Sequence, residues 1–352
     1  MKNPLKRLLL LIITAMFYGC VAPPVADIVY PPPPDPARIK YITSYSGTGD
    51  VSSGSAAASI LLGASASSAL KKPMGVFVDT EGVIFVTDTA AADVFLIDPV
   101  NKKGTSLGEL GSKFLFKPIG VSTDNEGRIY VADSQTDKVA VLSKTGQLIT
   151  YITPEDPFQQ PTGLIVDRKN NKLYVTDTHS HSIKVFDTKT LKQTGTIGKR
   201  GKEEGSFNFP SHLTVDQDGK LYVVDTMNGR VQIFDQDGKF VRAFGEFGDA
   251  PGMFARPKGI GVDSEGHIYV VDSAFNNVQI FNQEGRVLLA FSGYGSDRGQ
   301  MILPAGLAVD KDDYIYIVDS WNRRVEKYEY LGAKHFQRAG KEIPDYILTQ
   351  PE

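Results

Sequence analysis

The chain has 352 residues, with 41 % apolar and 22 % charged side chains, so it can build a packed core and is not a disordered polymer. Its formal charge of −3 becomes −6 without the first 20 residues, which hold Lys2, Lys6 and Arg7 and no acid. That balance argues against nucleic acid, whose phosphates need a basic patch, and the single cysteine excludes an internal disulfide.

The three basic residues precede an apolar run from Leu8 to Tyr18. At roughly 1.5 Å per residue such a run is too short to span a ~30 Å hydrocarbon core, so it reads as a secretory leader. Directly behind it stands Phe17-Tyr18-Gly19-Cys20. This resembles the lipobox of bacterial lipoproteins and implies cleavage before Cys20, acylation of that cysteine and attachment to a membrane. With Val21 rather than aspartate next, the same resemblance implies the periplasmic face of the outer membrane. Residues 20–37 are rich in proline, including Pro31 to Pro34, and read as a semi-rigid tether. Residues 1–19 are then the leader, 38–340 the folded domain and 341–352 a tail.

Arg38 to Tyr45 alternates as a strand. Val51 to Leu70 shifts to Ser, Ala and Gly around Ile60-Leu61-Leu62 and reads as a long link with room for a short helix. From there one pattern recurs six times, opened by Pro73, Pro118, Pro161, Pro210, Pro257 and Pro304. Repeat five shows it whole. Pro257-Lys258-Gly259 leads into a strand that ends at Asp263, and Ser264-Glu265-Gly266 turns the chain. His267 to Val271, Val278 to Phe281 and Val287 to Phe291 supply three more strands. Four strands in about 45 residues describe one blade of a β-propeller.

The runs Val223-Val224-Asp225 to Phe234 and Ile317-Val318-Asp319 to Val325 resemble NHL repeats, over about residues 39 to 330. The expected fold is all-β: a six-bladed propeller of four-stranded antiparallel blades. Since a ring must close, Arg38 to Tyr45 is expected to pair with the last blade beside Val325 to Tyr328. Lys334 to Arg338 is the competitor for that place.

Aspartates recur at two positions, Asp88, Asp133, Asp177, Asp225, Asp272 and Asp319 after strand two, and Asp79, Asp124, Asp167, Asp216, Asp263 and Asp310 at the first hairpin. Standing around a ring, they read as turn-fixing acceptors of backbone N–H bonds rather than as a metal cluster. Gly198-x-x-Gly201, Gly245-x-x-Gly248 and Gly293-x-Gly295 open no helix and read as inter-blade loops, with Phe207, Phe209 and Phe254 as packing anchors.

Function on a repeat scaffold sits where the repeats differ. Loops between blades and loops between strands two and three share one face. There Met227, Phe275 and Trp321 put apolar side chains into turns and are candidates for ligand binding. Five blades read Pro-x-Gly, but blade four reads Pro210-Ser211-His212. His212 and His179 are further binding candidates, and with His181 they form the one plausible metal set. Three functions follow. A binding or scaffolding module, with no cofactor, would engage an envelope protein, peptide or glycan as a monomer. An enzyme would resemble the peptidyl-hydroxyglycine amidating lyases, which use histidine-bound zinc, or the gluconolactonases, which hold a channel metal with carboxylates. A nucleic-acid binder is disfavoured by charge and export. The first is the expectation, so no catalytic residue is assigned.

Overall fold

A computed structural model describes residues 27–51 and 69–348. Cys20, the leader and most of the Ser/Ala/Gly link lie outside these residues. Each blade proline begins an inner strand: Pro73–Val78, Pro118–Thr123, Pro161–Asp167, Pro210–Val215, Pro257–Val262 and Pro304–Val309. Behind each, three further strands pair antiparallel outward from the axis, as Ile268–Asp272, Asn277–Phe281 and Val287–Phe291 do in blade five. Proline suits the first position because its N–H is missing from a ladder that has not yet begun. The fold is thus the six-bladed all-β propeller that the repeats predict.

The last blade is completed from the other end of the chain. Ile39–Tyr45 pairs antiparallel with Arg324–Tyr330, and Tyr41 lies opposite Tyr328. The competing segment, Ala333–Arg338, is a short helix, α1. One addition was not legible. Val29–Tyr30, inside the expected tether, pairs with Ile39 and Lys40 as a fifth strand, and the Tyr30 hydroxyl donates to the Gly299 carbonyl. Part of the proline-rich stretch therefore lies against the domain.

Apolar burial runs between neighbouring blades. One cluster joins Tyr222, Val224 and Phe254 to Ile260, Val270 and Phe281 across blades four and five. Another joins Val318 and Val325 of blade six to Val76, Val86 and Phe95 of blade one, so the circle is closed by packing as well as by pairing. Near the axis the Pro-x-Gly glycines permit a backbone approach that a side chain would block. A Cβ on Gly163 would meet the Ser211 carbonyl at 2.5 Å, and one on Gly120 would meet that of Thr162 at 2.5 Å.

Candidate functional site

The two aspartate sets hold the turns. Asp272 accepts from the backbone N–H groups of Ala255, Arg256, Ala274 and Phe275, which ties an inter-blade loop to the loop between strands two and three. Asp225 does the same for Asn208 and also takes Arg230, Asn228 and Gln232. At the hairpins, Asp263 accepts from Glu265 and His267 N–H groups and from the Tyr269 hydroxyl. Asp216 and Asp310 take Tyr222 and Tyr316 in the same way. These carboxylates are spent on the scaffold.

On the loop face, Phe207 and Phe254 are buried beneath the loops that begin at Gly198 and Gly245. Phe209 behaves otherwise: it is half-buried between the rings of His179 and His181, at 5.6 and 4.5 Å. His181 has φ 55° and its Nδ1 accepts from the Phe209 N–H. In two other blades the left-handed residue of the same turn caps the corresponding N–H: Asp137 takes Gln160, and Asn276 takes Leu303. His181 is therefore a loop tie, which its alignment with Asp137 and Asn276 could have revealed. Replacing His181 by Asn should leave the melting temperature within a degree or two, whereas Ala should cost about 1 kcal/mol through the unpaired N–H. Equal effects in thermal melts would contradict this role.

His212 lies apart from that pair. A bulge between Pro210 and Leu213 shifts the strand register, and His212 lines the axial cavity with its Nδ1 3.3 Å from Ser211 Oγ. Burial, helped by the charge of Lys258, pushes its pKa down to about 3, so the ring is neutral. Among the described residues no three His, Cys, Asp or Glu side chains come together as a metal site. The three-histidine set is not assembled: His179 and His181 serve Phe209, and the ring carboxylates face their own hairpins. Neither the zinc site of an amidating lyase nor a carboxylate-held channel metal fits these residues.

Of the turn residues singled out, Trp321 is 67 % and Met227 53 % exposed, while Phe275 is half-buried. Repeat comparison alone missed Phe247 and Tyr294, 53 % and 73 % exposed, which follow the loop glycines at equivalent places. Their loops meet the turns directly. Phe247 packs against Gly229, just past Met227, and Asn322 Nδ2, beside Trp321, donates to the Gly295 carbonyl. Met227, Phe247, Tyr294 and Trp321 thus span blades four to six on one face. Nearer the axis the same face carries Lys72, Lys117, Arg256 and Lys258, which flank the blade prolines.

Ring, closure and loop face define a β-propeller whose variable surface is carried by loops. Comparisons agree with that class. A family described as 6-bladed beta-propeller matches residues 202–274, and the NHL repeat family matches residues 158–186. The chain is a six-bladed β-propeller that contains a match to the NHL repeat. It is 36 % identical over 92 residues to NHL repeat-containing protein 2 of Homo sapiens, covering 24 % of this chain and 13 % of that protein. It is 32 % identical over 88 residues to the probable peptidyl-alpha-hydroxyglycine alpha-amidating lyase pgal-1 of Caenorhabditis elegans, covering 24 % and 25 %. Both matches span a quarter or less of these relatives' own length. A solved auxiliary nutrient binding protein from Bacteroides thetaiotaomicron shares the fold, with a TM-score of 0.60 and 17 % identity over 74 % of this chain and 69 % of that one.

Proposed function

We propose that this protein is a lipid-anchored binding or scaffolding module of the cell envelope, tethered through Cys20, which engages an envelope protein, peptide or glycan with its loop face. One observation carries the reading: the exposed crescent of Met227, Phe247, Tyr294 and Trp321. Water-facing aromatic side chains at the tips of loops cost solvation unless a partner covers them, and such residues are the usual anchors of interfaces. On the same face Lys72 and Arg256, exposed beside the prolines of blades one and five, add positive charge, which favours acidic groups on the partner. Rigid loops tied by Asp225, Asp272 and Asp319 lower the entropy lost on binding.

Crosslinking in intact cells tests this. Trp321→Ala with Tyr294→Ala should remove most crosslinked partner while leaving the melting temperature unchanged, because both side chains are exposed. Crosslinks that persist would place the partner on another face. Separately, Cys20→Ser should shift the protein from the membrane fraction to the soluble one. A variant that stays membrane-bound would refute the lipid anchor and leave the crescent untouched.

A further inference from the structure

The axial cavity opens on the face opposite the crescent. Its volume is about 490 Å³, and its lining runs from the inner ring at Gly75, Gly120, Gly163, His212 and Gly306 to the first hairpins, including Thr80, Gln217 and Ser264. That size lies within the roughly 300–1,000 Å³ that holds small molecules. The walls are largely apolar, with Phe77, Val121, Ile165, Val215, Val262 and Val309.

The charges at its mouth are already committed. Arg168 donates to the Thr123 carbonyl and hydroxyl and lies over the Phe77 ring at 5.6 Å. Lys169 donates to the Gln217 carbonyl and Lys311 to Asp312. Asp216, Asp263 and Asp310 serve their hairpins. The charged groups at the mouth are held by hydrogen bonds of the scaffold, and at the inner end the Lys258 ammonium lies close enough to act on His212.

His212 is the exception at the inner end. With Thr226 Oγ1 donating to the Pro257 carbonyl at 3.3 Å, the Ser211 hydroxyl, 2.7 Å from Thr226 Oγ1, would give its hydrogen to Thr226. Ser211 Oγ then meets His212 Nδ1 as an acceptor, which puts the imidazole proton on Nδ1. His212 Nε2 is then a bare lone pair, buried and without a partner among the described residues. Native structures rarely keep such a group unless something satisfies it. A glycine here, as in the other five blades, would have avoided it.

We propose that this cavity is a small-molecule site for a neutral, mainly apolar ligand that carries one N–H or O–H donor for His212 Nε2. Nε2 is closed off from the cavity as the ring stands, so the imidazole seats the donor by turning about χ2, a broad two-fold torsion, and gives up the long Ser211 contact as it does so. The site is independent of the loop-face crescent and does not rest on the binding role proposed for it.

Fluorescence titration of the purified protein with N-phenyl-1-naphthylamine, which is neutral and has a single N–H, tests the proposal against the N-methyl derivative, which has none. One probe should bind per chain, with the N–H form preferred by about five- to tenfold, the worth of one hydrogen bond. Thr214→Trp, which fills the cavity from blade four, should weaken both probes at least about tenfold. If that variant fails to fold, Ala308→Phe fills the same space from blade six. His212→Gly should still bind but lose the preference, and Val100→Ala, at an exposed position outside the cavity lining, should leave the affinity of both probes as it is. Absence of saturable binding to the folded protein would overturn the site. Binding indifferent to the filled cavity would do so too, as would a preference that survives in His212→Gly.

Discussion

Replacing Glu326 by Gln should stabilise the protein at pH 8 by about 1–3 kcal/mol, with the gain shrinking as the pH is lowered. Glu326 sits in strand three of blade six with no exposure to water; among the described residues its carboxylate oxygens have no close hydrogen-bond partner, and the Tyr41 hydroxyl only partly offsets the burial. Arg324 Nε is 2.7 Å from Oε1, but its single N–H is engaged by Asp319 at 3.0 Å, so the contact is ionic only. Burial pushes the Glu326 pKa up to about 7, against the lowering by Arg324. A carboxyl whose folded pKa is raised stabilises most while protonated. Wild-type stability therefore falls as pH climbs from 4.5 to about 7 and is level above that. The upper bound, roughly 3 kcal/mol, follows from about 1.4 kcal/mol per tenfold change in proton affinity.

The equivalent residues show what the site prefers. Gln232 accepts from Gly205 N–H and donates to the Ser206 carbonyl, and Gln279 treats Gly252 and Met253 likewise. An ionised Glu326 cannot donate to the corresponding Gln300 carbonyl, which takes Arg324 instead. Glutamine restores the donor and removes a buried charge. Urea unfolding of both proteins from pH 5 to 8.5 reads the result. A stability difference that is absent at pH 8, or that does not change with pH, would refute the account.

Removing residues 38 to 46 should abolish cooperative folding or lower the melting temperature by well over ten degrees. The strand buries Ile39, Tyr41 and Tyr45, each 8 % exposed or less. At roughly 1.5–3 kcal/mol per large apolar side chain these three contribute about 4.5–9 kcal/mol, against a total stability of about 5–15 for a typical domain. Deletion also bares Arg324–Tyr330 as an unpaired edge, so light scattering should rise with concentration. A milder change, Ile39→Asp, should act in the same direction. An unaltered melt of the deleted protein would mean that the ring does not depend on this clasp.

The blades were legible because their causes are local. Proline, glycine and aspartate punctuate each unit, and alternation sets the strands, so Pro257 to Phe291 could be read without its neighbours. The clasp was legible because an odd strand at one end answered a missing strand at the other. The sequence marks His212 as a departure from Pro-x-Gly but not how deep it lies, because position in the repeat says nothing of depth. The bulge after Pro210 and the close approach of Gly163 to Ser211 set that depth. Phe275, Phe247 and Tyr294 show the same limit: exposure is decided by which loop lies over which turn.

What the sequence by itself determined is the number of sheets and the order of the repeat strands in each, since these follow from residue-by-residue turn and strand preferences; the structure chose Ile39–Tyr45 over Lys334 to Arg338 as the clasp and added Val29–Tyr30 to it. Only the tertiary structure decided that the cavity faces away from the aromatic crescent, that His212 is separated from His179 and His181, and that Glu326 is fully buried. Those depend on the tilt and spacing of six packed blades, which no single repeat encodes, because distance and burial arise between repeats.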